Sequence, residues 1–75
     1  MKELLIILAK NLVTKPEFVE VTESKRDDML VLRLKVAEDD MGKVIGKQGR
    51  IARSIRTVVK AAAISENIRV TVEIN

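Results

Sequence analysis

Apolar residues recur along this chain in two rhythms. Between Glu3 and Val13, the residues Leu4, Leu5, Leu8 and Leu12 return at helical spacing, which predicts an amphipathic helix with one buried stripe. Pro16 ends it, because the residue ahead of a proline is driven out of the helical region. Ile6 and Val13 fall off the stripe and read as exposed aliphatics. From Glu17 to Glu23 the rhythm shortens to every second residue, with Val19 and Val21 on one face, and predicts a strand. Phe18, beside Pro16 at the start of that strand, reads as packed. Ser24-Lys25-Arg26-Asp27-Asp28 reads as a polar turn. Alternation resumes from Met29 to Ala37, where Leu30, Leu32, Leu34 and Val36 face one way and Arg33 and Lys35 the other. The two strands predict a hairpin with one wet face.

The helical rhythm then returns twice. Met41, Val44 and Ile45 form the inner side of a short helix that ends at Gly46. From Arg50 to about Ile64 a longer helix places Ile51, Ile55, Val58, Val59 and Ala62 on one face. Arg53, Arg56 and Lys60 lie opposite, with Arg50 on the edge. Ala61, Ala62 and Ala63 give that helix a thin end suited to close packing against a helix or a second subunit. Asn67 to Asn75 closes as a strand, with Ile68, Val70, Val72 and Ile74 inward. The order α-β-β-α-α-β predicts an α+β two-layer sandwich, three helices on one face of a three-stranded mixed sheet. Residues 1–75 read as one domain.

Charge changes the picture more than composition does. Met41 to Ser65 carries six basic residues (Lys43, Lys47, Arg50, Arg53, Arg56, Lys60) and no acid, whereas the rest of the chain has eight basic residues against eleven acids. Such segregation makes one face positive, the footprint of a polyanion binder. With no cysteine and no histidine, thiolate sites and the commonest general base are absent. Glu38-Asp39-Asp40 reads as the capped, acidic first turn of a helix, not as a cation site, because no other ligand type stands nearby. No nucleophile–base pair is visible, and no cofactor or metal is expected. The longest apolar run, Leu4 to Ala9, is six residues, too short to span a bilayer or form a signal-peptide core. The expectation is a soluble, cytoplasmic protein that is not an enzyme.

The candidate chemistry sits in Val44-Ile45-Gly46-Lys47-Gln48-Gly49-Arg50-Ile51. Gly46 and Gly49 lack a Cβ and allow a tight turn and close approach to a ligand. A helix starting at Gly49–Arg50 would aim free N–H groups at the gap, where they suit a phosphate. Lys43, Lys47, Arg50 and Arg53 add charge, and Gln48 can donate a hydrogen bond. Val44, Ile45 and Ile51 are the apolar neighbours; Ile55 reads as core. Arg50, at the helix start, is a stronger contact candidate than the more distal Arg53 and Arg56.

The βααβ core with Val-Ile-Gly-Lys-Gln-Gly between its helices resembles a KH domain, and the αβ extension before it resembles the type II, prokaryotic variety. Gly46-Lys47-Gln48-Gly49 matches that family's GxxG loop. The resemblance covers nearly the whole chain and implies a groove for about four nucleotides of single-stranded RNA, clamped by the loop. Residues implied in RNA binding are Lys43, Val44, Ile45, Gly46, Lys47, Gln48, Gly49, Arg50, Ile51 and Arg53. Many KH domains carry a large aliphatic three residues after the second glycine. Ala52 stands there in this chain, which implies a shallower or shifted groove floor. A free-standing KH domain of this size also resembles small bacterial RNA chaperones or post-transcriptional regulators. That likeness implies a homodimer, or a heterodimer with a larger KhpB/Jag-type KH protein.

Phe18 is the only aromatic residue, so recognition by stacking on exposed rings is not expected. Backbone charge and aliphatic contact predict low sequence specificity and strong salt dependence. The competing readings are a protein-interaction module with a silent loop, and a single-stranded DNA binder.

Overall fold

The computed structural model describes residues 1–74 and, for Lys47 and Gln48, the backbone alone. Its elements are α1 (Lys2–Leu12), a single 3-10 turn at Pro16–Phe18, β1 (Glu20–Arg26), β2 (Met29–Lys35), α2 (Glu38–Ser65) and β3 (Arg69–Ile74). The sheet order is β1-β2-β3, with β1 antiparallel and β3 parallel to β2. The helices pack on one face, and the core forms where Leu5 and Ala9 of α1 and Val44, Ile55 and Val59 of α2 meet Val21, Leu32, Leu34, Val70 and Val72 of the strands. The architecture is the expected α+β sandwich with a mixed sheet.

Several boundaries differ from the sequence expectation, each for a local reason. Pro16 takes the first position of the 3-10 turn, where its fixed φ and missing N–H cost nothing. It therefore delays β1 to Glu20. Phe18, at the end of that turn, is more than half exposed, not packed. β1 then runs through Ser24, Lys25 and Arg26, which pair with Val31, Leu30 and Met29. Only Asp27 and Asp28 remain as the turn, and Asp27 takes φ 58, a left-handed conformation that short polar side chains tolerate.

The stripe on α1 is centred on Leu5 and Ala9. Ile6 and Val13 pack against the core, contrary to expectation, while Leu12 is exposed. The small Ala9 sits where the helix lies against its neighbours, a position that a leucine count undervalues. On α2 the buried line is Ala52, Ile55, Val59 and Ala63, and Val58 points outward.

Helix α2 ends by wrapping its last carbonyls. Asn67 adopts φ 58, its N–H donates to the Ile64 carbonyl, and the Ile68 N–H donates to that of Ala63. This is the Schellman pattern, with Asn67 as its left-handed residue. Asn67 is thus a helix stop and not part of β3, and Ile68 is correspondingly half-exposed. Asn75, the last residue of the expected strand, lies outside the described residues.

Asp40 has a larger role than first-turn charge. Its side chain caps nothing in α2, whose N-terminal cap is Ala37. It is buried, at 1% exposure, and accepts hydrogen bonds from the Thr14 N–H (2.9 Å), the Thr14 hydroxyl (2.7 Å) and the Lys15 N–H (3.0 Å). Those N–H groups lie just past the end of α1, where the backbone has no helical partner. One carboxylate therefore ties the exit of α1 to the start of α2. The Thr14 backbone and hydroxyl bonds hold its carboxyl below the ordinary aspartate range, with Lys15 and Lys43 adding to the shift. Beside it, the Asp39 carboxylate pairs with the Lys15 ammonium and raises that lysine's pKa.

Because the folded-state pKa of Asp40 is depressed, its stabilisation is complete above the unfolded value and is lost as pH falls through the folded one. Asp40→Asn should lower the midpoint of thermal unfolding by at least several degrees at pH 7. The gap to the parent chain should narrow below about pH 4. Circular-dichroism melts at both pH values check this; a gap that does not change with pH contradicts the charge-dependent latch.

Candidate nucleic-acid interface

Helix α2 spans 28 residues. Straight, it would be about 42 Å long, yet the longest extent of the whole molecule is 33 Å. The helix must bend, and Gly49 is where it does: φ there is +66, the reverse of right-handed helical winding. The short and long helices expected from sequence run on as one helical span, with the tight turn between them reduced to the reversed residue at Gly49. Gly46 lies within the right-handed part. A Cβ at either glycine would meet nothing within 4 Å, so neither is demanded by internal packing. Gly49 is required by its φ; Gly46 leaves an open approach to the backbone.

Beyond the bend, the second half of α2 lies along β3 and leaves a groove of about 480 Å³ lined by Ile45, Gly49, Ala52, Arg53, Arg56, Thr57, Lys60 and Ile74. Its floor is aliphatic and one wall is cationic. Ala52, small and nearly buried, forms part of that lining where many KH domains carry a larger residue. Lys43, Arg50, Arg53, Arg56 and Lys60 are exposed. None takes part in the three ion pairs found among the described residues, which join Lys15 to Asp39, Arg33 to Glu73 and Arg69 to Asp28. Unneutralised cations beside an apolar groove favour a ligand with fixed negative charge and flat apolar parts.

The residues expected at the site divide. Ile45 is 52% exposed and faces the groove, not the inner side of its helix; Gly49 and Arg53 also line it. Ile51 is half-buried against the core. Val44 is 0% exposed, so its side chain belongs to the core and not to the groove; the helix turns about 100° per residue, which carries Ile45 out to the groove while Val44 faces inward. Ile55 is core, as expected. Arg50 is exposed but outside the groove lining, whereas Arg56 and Lys60 are part of it. Arg53, Arg56 and Lys60 repeat at helical spacing, a pattern equally compatible with a solvated face, and only the position of β3 makes it a wall. Ile74 was missed because its contribution depends on the parallel pairing of β3. The Lys47 and Gln48 side chains lie outside the described residues.

A family profile described as "KhpA/KhpB, KH domain" matches residues 2–74. The chain belongs to the KhpA/KhpB KH-domain family. It is 65% identical over 74 residues to RNA-binding protein KhpA of Clostridium perfringens, covering 99% of both chains. It is 61% identical to RNA-binding protein KhpA of Clostridium acetobutylicum, again over 99% of each. Among solved structures, it resembles part of Aquifex aeolicus Era with a TM-score of 0.65 at 20% identity, covering 97% of this chain and 28% of that one. That last likeness concerns the fold. Within the KhpA/KhpB KH domain described here, the reversed glycine, exposed Ile45 and unpaired arginines converge on one groove.

The two glycines differ in a way that stability measurements resolve. Gly49→Ala should destabilise by about 1 kcal/mol, the cost of forcing a Cβ into the left-handed region. Gly46→Ala should be neutral or stabilising by up to about 1 kcal/mol, because alanine is the better helix former. Urea unfolding of the two variants checks this, and equal losses would place the reversal elsewhere.

Proposed function

We propose that this chain binds single-stranded RNA, gripping the sugar–phosphate backbone at Gly46-Lys47-Gln48-Gly49 and laying bases on the aliphatic groove between α2 and β3. The observation that carries the reading is the placement of unpaired Arg53, Arg56 and Lys60 along a groove that begins at the reversed Gly49. Family membership and the RNA-binding KhpA relatives support it. The cations meet phosphates, Ile45 and Ile74 meet base faces, and no aromatic side chain lines the groove. Binding therefore has low sequence specificity and falls steeply with salt, by about 0.7 log units in affinity per log unit of salt for each phosphate engaged. The role is that of a cytoplasmic RNA chaperone or post-transcriptional regulator, with binding rather than catalysis as its activity.

Exposed Ile7 and Leu12 on α1 support a second layer of the same function: a homodimer, or a heterodimer with a KhpB/Jag-type KH protein. A dimer would add to the stability of so short a chain. Sedimentation of the chain alone and with RNA measures this, and a monomer under every condition removes the homodimer.

Replacing Lys47 and Gln48 together by aspartate should abolish RNA binding, because two negative charges then face the phosphates, while the thermal midpoint stays close to that of the parent. In the same anisotropy titration, Arg53→Ala and Arg56→Ala should each weaken binding more than Arg50→Ala, since Arg50 lies outside the groove. Undiminished affinity in the aspartate variant would refute the loop assignment; the reverse arginine order would move the site toward the bend.

A further inference from the structure

The groove does not stop at Lys60. A depression of about 210 Å³ shares Lys60 with it and adds Ile68 and Arg69. A third hollow, of about 430 Å³, shares Ile68 and Arg69 with the second, takes in Asn67 at the helix stop, and reaches Lys25, Asp28 and Leu30 around the β1–β2 turn. The three therefore form one continuous track along the second half of α2, around the Asn67 helix stop, to the end of the hairpin. Each junction carries a cation: Lys60 at the first, Arg69 at the second. Lys25 stands at the far end.

Charge along this track is one-sided. Arg53, Arg56, Lys60, Arg69 and Lys25 line it against a single acid, Asp28. That acid pairs with Arg69 at 3.5 Å, with both side chains more than two-thirds exposed. So open a pair contributes little, and a phosphate can displace the carboxylate. Ile68 and Leu30 keep the floor apolar beyond Lys60, as Ile45 and Ile74 do before it. The stretch of α2 from Gly49 to Ser65 alone rises about 24 Å. Length, sign of charge and floor chemistry are thus continuous with the proposed RNA site.

We infer that the single strand continues past the four-nucleotide groove, over Lys60 and Arg69 to Lys25, so that the chain engages about six to eight nucleotides, within the ~4–16 that single-strand sites following the backbone span. The inference rests on the RNA-binding reading above. It assigns Arg69 and Lys25, on separate strands and distant from the glycines in sequence, as phosphate contacts for flanking nucleotides.

Fluorescence anisotropy with labelled oligouridylates, a tetranucleotide and an octanucleotide, tests it on the full chain. Both side chains are exposed, so the double variant Lys25→Ala, Arg69→Ala should keep its fold, which a thermal melt verifies. Its octanucleotide affinity should fall at least about fivefold and its salt slope should shrink by about 1.4, two phosphates at ~0.7 each. Tetranucleotide binding should not change. Asp28→Ala should strengthen octanucleotide binding by freeing Arg69. A double variant with parental octanucleotide affinity and slope overturns the extended track while leaving the groove intact. Failure of the parent chain to bind either oligomer overturns the RNA reading itself, and the track with it.

Discussion

The structure depends on one backbone reversal. An amphipathic helix of 28 residues cannot stay straight over a three-stranded sheet in a molecule 33 Å long. The φ of +66 at Gly49 folds the two halves over the same face. The first half then buries Val44, and the second buries Ile55 and Val59, against the same strands. The reversal also sets out what the helix does not bury: Ile45 before the bend, and Arg53, Arg56 and Lys60 after it, come to line a single groove. Core and candidate site are two sides of one geometric solution.

The acidic part of the chain has a complementary task. Asp40 spends its hydrogen-bonding capacity on the backbone at the exit of α1, and Asp39 occupies Lys15. These acids are committed at the far end of α2 from its cationic half. Segregated charge along the sequence thus becomes segregated charge in space, with one end latched by internal pairs and the other left to attract a polyanion. The absence of aromatic side chains from the groove makes charge and aliphatic contact the means of recognition in the proposed RNA complex.

Much of this was legible in the sequence. Two-residue and helical rhythms, the strand order and the glycine pair gave the architecture, and the KH resemblance agreed with them. What was not legible depended on size and on distance along the chain. Ala9, Ala52 and Ala63 are core because they are small where elements press together, whereas periodicity favours large residues such as Leu12 and Val58. Asp27 and Asn67 turn the chain through left-handed conformations that no hydrophobic pattern reports. Val44 and Ile45, adjacent in sequence, part company between core and groove. Membership of a groove wall, for Arg56, Lys60 and Ile74, is fixed by the parallel pairing of β3 with β2.

In the proposed RNA complex, the bend at Gly49 opens a groove that takes an anionic strand. Mapping amide chemical-shift changes during titration with an unlabelled oligouridylate tests it residue by residue. The largest changes should fall at Gly46–Gly49, Arg53, Arg56, Thr57 and Ile74, with Thr22, Arg33 and Lys35 on the opposite face of the sheet unmoved. Changes centred on that opposite face, or on α1, would contradict it.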